Sequence, residues 1–141
     1  MKRNASAIWE GGIKEGGGSI STQSGVLESV PYGFNTRFED EPGTNPEELL
    51  GAAHAGCFSM ALSLMLGEAG ITPDRIHTKA AVNLRKAGDG FEINAVHLDV
   101  EVSAPGADEA DFRRVAEQAK ANCPVSKVLN ADITMEARLK R

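Results

Sequence analysis

Residues 45–70, NPEELLGAAHAGCFSMALSLMLGEAG, predict a long helix on which the rest of the fold depends. Asn45 can accept hydrogen bonds as the N-cap, and Pro46 suits the first helical position. The two glutamates that follow complement the positive end of the helix dipole. Gly70 supplies a stop signal. We therefore expect a helix over about residues 46–69, roughly 36 Å long at ~1.5 Å per residue.

The interior of this helix, residues 49–67, contains no Asp, Glu, Lys or Arg. Nineteen uncharged residues are enough to cross a membrane. The segment also holds several Gly and Ala residues, a histidine and two serines, and the chain has no second stretch of this kind. A helix that is apolar on most sides is usually buried at the centre of a fold. We expect that arrangement here, with no membrane partner.

The segments around the helix predict strands joined by turns. Residues 5–10 and 19–22 are short strand-like runs that indicate a hairpin, and residues 26–38 indicate a further strand or ordered loop. After the helix, residues 76–84 and 91–102 alternate in places and are joined by the turn sequence KAGDG, which predicts a β-hairpin.

The C-terminal part of the chain predicts two helices and a strand. Residues 108–121 have acidic residues in the first turn of a helix, and Cys123-Pro124 opens a short helix that ends near residue 129. Residues 133–139 form a last strand with apolar side chains on one face. Because antiparallel hairpins are mixed with long helices, we predict an α+β fold in a single domain over residues 1–141.

Composition narrows the classes of partner and compartment. Fifteen Lys and Arg against twenty Asp and Glu give a net charge of −5, which argues against nucleic acid or an anionic membrane as the main partner. The first residues include no apolar segment of the secretory type. We therefore expect a cytoplasmic location, where free thiols outlast structural disulfides.

Two cysteines are the first candidates for chemistry. Cys57 lies in the most apolar part of the long helix, where a free cysteine commonly serves as a small buried hydrophobe. Cys123 precedes a predicted helix, whose N-terminus favours a thiolate. The residues alone leave open a structural pair or a functional pair. Metal ligation by Cys57, Cys123 and His54 lacks any supporting ligand spacing, so we expect no metal.

A reactive Cys57 would need a positive partner to lower the pKa of its thiol. Arg37 is the candidate, although it could instead form a solvated salt bridge with the acidic residues that follow it. His54 lies three residues before Cys57 on the same helix face. A Cys57/His54 pair for acyl transfer is one hypothesis, and a hydrogen-bonded histidine within a packing surface is the other.

The two glutamates of the first helical turn cannot reach Cys57 on their own helix. Glu47 lies about 15 Å and Glu48 about 13.5 Å from it along the axis. A glutamate that assists this thiol must therefore come from a second copy of the chain. Two such helices crossing antiparallel near residue 52 would bring Glu47 close to the partner cysteine, and small residues there permit the approach. A cysteine–arginine–glutamate site thus requires a dimer.

Four segments resemble the OsmC/Ohr peroxidase family, in the same order and over nearly the whole chain. They are WEGGIKEGGGSISTQSGVL, YGFNTRF, GTNPEELLGAAHAGCFSMALSLMLGEAG and NCPVSKVLNA, at residues 9–27, 32–38, 43–70 and 122–131. The resemblance implies an OsmC-like α+β fold, in which antiparallel sheets wrap around central helices as an intertwined homodimer. It also implies active sites at the dimer interface and the reduction of organic hydroperoxides to alcohols, with hydrogen peroxide as a second candidate substrate.

The resemblance also assigns roles by position. Cys57 matches the peroxidatic cysteine and Cys123 the resolving cysteine. Arg37 matches the arginine that holds the thiolate and polarises the peroxide. Glu47 matches the glutamate that positions this arginine, with Glu48 as the neighbouring alternative. The histidine in GAAHAGCF, at position 54, is typical of the OsmC branch.

The implied chemistry needs no cofactor. Cys57 becomes a sulfenic acid, condenses with Cys123 to a disulfide, and is regenerated by an external dithiol. For the Ohr branch the resemblance suggests a lipoyl dithiol as the donor. Two other functions stay open: a redox-sensing or ligand-binding dimer without turnover, and a Cys57/His54 acyl-transfer enzyme.

Overall fold

A computed structural model describes all residues, Met1–Arg141. Its six strands and four helices confirm the α+β class. In chain order they are β1 (Ala5–Glu10), β2 (Gly17–Thr22), β3 (Val30–Tyr32), α1 (Phe34–Phe38), α2 (Pro46–Glu68), β4 (Arg75–Ala87), β5 (Gly90–Ser103), α3 (Glu109–Asn122), α4 (Pro124–Val128) and β6 (Asp132–Lys140). The chain forms two compact units, Met1–Leu49 and Leu50–Arg141. The single domain expected from the sequence stays a prediction.

The first unit contains an antiparallel sheet in the order β1-β2-β3. Gly18 of β2 pairs with Trp9 on one side and with Tyr32 on the other. Any side chain at Gly18 would collide with the carbonyl oxygen of Ile8 and with both aromatic rings, so the close strand pairing requires glycine. The rings of Trp9 and Tyr32 meet edge to face, with centroids 5.5 Å apart.

Residues 26–38 differ from the predicted strand or ordered loop, because the strand β3 gives way to the short helix α1. The side chain of Thr36 starts this helix. Its hydroxyl accepts a hydrogen bond from the Gly33 backbone N–H at 2.9 Å and donates one to the Gly33 carbonyl at 3.0 Å. A helix of five residues is too short to show an apolar periodicity, which is why the sequence pattern missed it.

The second unit contains a sheet in the order β4-β5-β6. The predicted hairpin β4–β5 is antiparallel and closes at the pair Ala87–Gly90. The strand β6 runs parallel to β5, so the expectation of antiparallel sheets is wrong for this pair. The helices α3 and α4 lie between these two strands in the chain and carry it back to the same end of the sheet, as a parallel pair requires.

The hydrophobic core of the second unit lies between this sheet and the helices α2 and α3. Its most buried members are Phe58, Leu62, Leu66, Val96, Leu98, Val100, Val102, Ala104, Phe112, Val115, Ala116, Ala119 and Cys123. The predicted helix at residues 46–69 is confirmed as α2, and its buried residues recur every three or four positions. This spacing points one face of α2 at the core.

The opposite face of α2 carries apolar side chains that the chain leaves exposed. Met60 and Leu64 keep 77% and 64% of their surface exposed. Ala52, Ala53 and Gly56 are also exposed. By length and composition α2 could cross a membrane, and 28% of its apolar window is buried within the chain. The apolar surface of α2 is therefore larger than one copy of the chain covers.

Candidate active site

Arg37 and Glu47 form a charged pair in the first unit. The guanidinium donates from Nε and Nη2 to Glu47 Oε1, at 3.1 and 2.9 Å. The glutamate side chain is only 12% exposed, and its second oxygen, Oε2, is buried without a hydrogen-bond partner. The alternative of a solvated salt bridge to the acidic residues after Arg37 is not what the structure shows. Instead, the arginine pairs with the first turn of α2.

The start of α2 distinguishes the two adjacent glutamates. Asn45 Oδ1 accepts a hydrogen bond from the Glu48 backbone N–H at 2.8 Å, so the predicted N-cap is confirmed. The Asn45 amide also donates to the Thr36 carbonyl at 3.0 Å, which ties α1 to the start of α2. The side chain of Glu48 is exposed, whereas that of Glu47 turns to Arg37.

An aromatic pocket of about 240 Å³ lies beside the arginine. The guanidinium carbon of Arg37 is 5.3 Å from the centroid of the Phe38 ring. The Phe38 ring in turn lies 5.0 Å from that of Phe34, measured between centroids. The pocket is lined by Trp9, Ile13, Tyr32, Gly33, Phe34, Arg37 and Phe38. The positive charge of the first unit thus borders an apolar surface.

Both thiols lie together in the second unit. Cys57, on α2, is half-buried, and Cys123, between α3 and α4, is buried; both are free. Cys57 packs against the hydrophobic core that contains Cys123, although 66 residues separate the two in the sequence. Burial raises the pKa of the Cys57 thiol, a hydrogen bond from the Val125 backbone N–H opposes the rise, and the neighbouring Cys123 adds to it. No side chain of its own unit supplies a positive charge to Cys57.

His54 is hydrogen-bonded to Ser126, a residue to which no sequence motif assigns a role. Its Nε2 lies 2.7 Å from Ser126 Oγ, and its ring is fully buried. Burial lowers the pKa of His54. The Cys123 thiol donates to the same Ser126 oxygen at 3.1 Å, and the Ser126 backbone N–H donates to Cys123 Sγ at 3.3 Å. The histidine therefore belongs to the surroundings of Cys123.

Ser126 could have been found from its position. It lies three residues after Cys123, which is the N-cap of α4. The side chain of an N-cap residue commonly accepts a hydrogen bond from the backbone N–H three residues later. The contact of Ser126 with His54 spans 72 residues and has no local signal. No group of three or more His, Cys, Asp or Glu side chains is arranged to hold a metal ion.

Comparisons with known proteins agree with this architecture. The family model for OsmC-like proteins matches residues 38–138. The chain is 59% identical over 140 residues to peroxiredoxin OsmC of Escherichia coli, covering 99% of this chain and 98% of the relative. It is 28% identical over 124 residues to the organic hydroperoxide resistance protein OhrB of Bacillus subtilis, covering 87% and 89% of the two chains.

Solved structures show the same fold. The crystal structure of Bacillus subtilis OhrB superposes with a TM-score of 0.67 at 28% identity, over 97% of this chain and 98% of that one. An OsmC-like protein of Vibrio cholerae superposes with a TM-score of 0.77 at 15% identity, over 97% and 99% of the two chains. The second likeness shows the fold alone.

Proposed function

The chain belongs to the OsmC-like protein family, and from this premise we propose that it is a Cys-based peroxidase that reduces organic hydroperoxides to alcohols. Its relatives named peroxiredoxin and organic hydroperoxide resistance protein support this activity. The observation that carries the proposal is the placement of Cys57 against the same hydrophobic core that holds Cys123, 66 residues away in the sequence. Two free thiols held in one core are placed to form a disulfide.

Cys57 is the residue that attacks the peroxide. Its thiolate forms an S–O bond with the terminal peroxide oxygen as the O–O bond breaks, and the leaving alkoxide takes up a proton to become the alcohol. The sulfur loses two electrons and remains as a sulfenic acid. Cys57 is half-buried and Cys123 is fully buried, so Cys57 is the more accessible of the two residues.

Cys123 resolves the oxidised form. Its sulfur attacks that of Cys57, the S–S bond forms as the S–O bond breaks, and the oxygen leaves as water. An external dithiol, for which a lipoyl group is our candidate, then reduces the disulfide by thiol–disulfide exchange. The cycle uses the two thiols of this chain and no bound cofactor.

The active site forms at the interface of a homodimer in this proposal. The raised pKa of Cys57 within one chain calls for a positive partner. Two α2 helices crossing antiparallel near residue 52 bring the Arg37–Glu47 pair of one copy to the cysteine of the other. Two observations support this arrangement. A second copy can cover the exposed apolar face of α2, and it can supply a hydrogen-bond donor to the unpartnered Glu47 Oε2.

The substrate class follows from the surface beside Arg37. The pocket there is lined mainly by apolar and aromatic side chains, with the guanidinium at its edge. Such a surface favours a hydroperoxide with an apolar substituent, since the ring contacts bind the substituent and the charge faces the peroxide. Hydrogen peroxide lacks that substituent, so we expect it to react more slowly.

Peroxide consumption with a dithiol tests this function. We expect the wild-type protein to turn over cumene hydroperoxide many times with dihydrolipoic acid, Cys57→Ser to be inactive, and Cys123→Ser to react once and stall. Turnover by Cys57→Ser would end the mechanism. A single oxidation of wild type without turnover would support the redox-sensing alternative instead.

The acyl-transfer alternative gains no support from the site, because His54 Nε2 bonds Ser126 rather than Cys57.

The apolar surface of α2 could be covered by a membrane instead of a second copy of the chain. Cell fractionation distinguishes these two possibilities. Recovery of the protein as a dimer in the detergent-free cytoplasmic fraction agrees with the proposal. Recovery in the membrane fraction would contradict both the dimer and the expected cytoplasmic location.

A further inference from the structure

A buried chain of hydrogen bonds leads away from the resolving thiol. The Cys123 thiol donates to Ser126 Oγ at 3.1 Å, and Ser126 Oγ lies 2.7 Å from His54 Nε2. Cys123 and His54 are fully buried, and Ser126 is 9% exposed. Polar groups are costly to bury, so two of them in series behind a reactive thiol call for an explanation.

The donors and acceptors fix a direction along this chain. Because Ser126 Oγ accepts from the Cys123 thiol, its own hydrogen is free to be donated to His54 Nε2. That arrangement requires a neutral imidazole with its hydrogen on Nδ1, the atom that has no hydrogen-bond partner. A charged imidazole would bury an additional donor and a net charge at this place. His54 therefore rests in the form that can accept a proton.

No charged side chain accounts for this state of the histidine. Burial alone lowers the pKa of His54. The titratable groups of the cluster are the thiols of Cys57, on the same helix, and Cys123, at the start of α4. The charged residue of α4, Lys127, is exposed. The imidazole is accordingly neutral near pH 7, and its hydrogen bond to Ser126 sets which ring nitrogen carries the hydrogen.

We propose that Ser126 and His54 form a proton relay that activates Cys123 for disulfide formation, a role that rests on the proposed peroxidase function. Ser126 contacts the reacting sulfur and is a catalytic residue in this proposal. His54 acts through Ser126 and is a positioning residue that also receives the proton. The Ser126 backbone N–H, 3.3 Å from Cys123 Sγ, stabilises the negative charge that develops on this sulfur.

One proton relay accompanies each disulfide that forms. The Cys123 thiol proton passes to Ser126 Oγ while the Ser126 hydroxyl proton passes to His54 Nε2. The freed Cys123 electron pair forms the S–S bond, and the S–O bond of the Cys57 sulfenic acid breaks. The oxygen leaves with one proton of its own and takes a second from solvent or the imidazolium, giving water. Cys123 sulfur is oxidised and Cys57 sulfur is reduced by the same number of electrons.

The relay predicts a distinctive pH dependence. A thiol that reacts only after ionising in solution gives a rate that rises about tenfold per pH unit below its pKa. With a neutral His54 as the proton acceptor, the rate of disulfide formation is instead level around neutral pH. It falls only when acid protonates the histidine, below its ordinary pKa. If His54 served only a structural role, the rate would still rise about tenfold per pH unit.

Single-turnover kinetics on the full chain test the relay. The reduced protein is mixed with one equivalent of cumene hydroperoxide across a range of pH. Dimedone traps the sulfenic acid at successive times, and intact mass gives the amounts of adduct and disulfide. The variants are Ser126→Ala, Ser126→Thr and His54→Gln, since glutamine can accept the hydrogen bond but does not titrate near neutral pH. Ser59→Ala is the matched control, a serine on α2 whose hydroxyl bonds Thr78 at 2.7 Å.

We expect Ser126→Ala to slow disulfide formation by about 10²-fold, so that sulfenic acid accumulates. Ser126→Thr restores most of the rate, and Ser59→Ala matches wild type in both steps. His54→Gln slows the second step about tenfold or more and makes its rate rise with pH. Circular dichroism checks that each variant folds. If His54→Gln does not fold, the serine variants and the pH profile of the wild-type protein still test the relay.

Three results would overturn the relay. One is disulfide formation at the wild-type rate in Ser126→Ala, and another is an unchanged pH profile in His54→Gln. The third is a wild-type rate that already rises tenfold per pH unit near neutrality. Failure of the proposed function looks different, because then no sulfenic acid appears in wild type at the first step, which would overturn the relay as well.

Discussion

Arg37 donates two hydrogen bonds to one oxygen of Glu47, so its planar geometry matters as well as its charge. Lysine at this position would keep the charge but not the paired donors. We expect Arg37→Lys to lower the second-order rate of Cys57 oxidation by about tenfold or more, measured as peroxide-dependent loss of the thiol.

A matched control exists for this substitution. Arg85 makes the same two contacts with one Glu92 oxygen, on the exposed hairpin β4–β5. Arg85→Lys should leave the oxidation rate of Cys57 unchanged. Equal rates in Arg37→Lys and wild type would remove the arginine from the proposed site.

The two adjacent glutamates give a second residue-level prediction. Glu47→Gln loses the charge that holds the guanidinium, and we expect the same assay to show about a tenfold lower rate. Glu48→Gln should stay near wild type, because that side chain is exposed and only its backbone N–H is used in the helix cap. The reverse order of effects would assign the positioning role to Glu48.

His54 predicts how stability depends on pH. Because burial lowers the pKa of His54, the folded protein favours the neutral ring, and the unfolded chain binds a proton first as pH falls. The contribution of His54 to the free energy of unfolding is therefore fully present above pH 6.5 and is lost as pH falls through the lower, folded pKa. Denaturant titrations of wild type and His54→Gln measure this. An identical acid-side decline in both would contradict the assignment.

At the scale of elements, the start of α2 depends on Asn45, which caps the helix and also bonds the Thr36 carbonyl. We expect Asn45→Ala to lower the free energy of unfolding by about 1–2 kcal/mol, measured by chemical denaturation. Asn45→Asp keeps the capping oxygen and loses only the amide donor, so it should cost less. Equal losses in both variants would show that the cap contributes nothing.

Local signals explain which elements the sequence could predict. The helix expected at residues 46–69 is observed as Pro46–Glu68, because its capping residues and charge-free interior lie within the segment itself. The helix α1 was not predicted, because five residues are too few to show the apolar periodicity of a helix. The parallel direction of β6 depends on how α3 and α4 cross the sheet, which no local pattern in Asp132–Lys140 encodes.

In the candidate site, too, local motifs could be predicted from the sequence and long-range contacts could not. Arg37, Glu47 and both cysteines could be named from short motifs and from the family resemblance. The resemblance favoured Glu47 over the adjacent Glu48, and the hydrogen bonds from Arg37 to Glu47 distinguish the two in the structure. The bond from His54 to Ser126 could not be predicted, because it joins segments 72 residues apart.

In the whole molecule, the proposed active site requires two copies of the chain. Met60 is 77% exposed on the apolar face of α2, where a second copy would cover it. We expect Met60→Glu to shift the protein towards monomer in sedimentation and to lower peroxidase activity in parallel. Val26→Glu is the control, since Val26 is similarly exposed, at 83%, in the turn after β2. A fully active monomer would contradict the shared site.

One oxidation of the reduced protein tests the proposed cysteine chemistry most directly. One equivalent of cumene hydroperoxide is added, free thiols are counted before and after, and intact mass and a peptide map are taken. We expect two thiols to fall to none, with a Cys57–Cys123 crosslink within one chain and no added oxygen. Two thiols that persist unchanged would show that Cys57 is a packing residue and that this fold lacks the proposed chemistry.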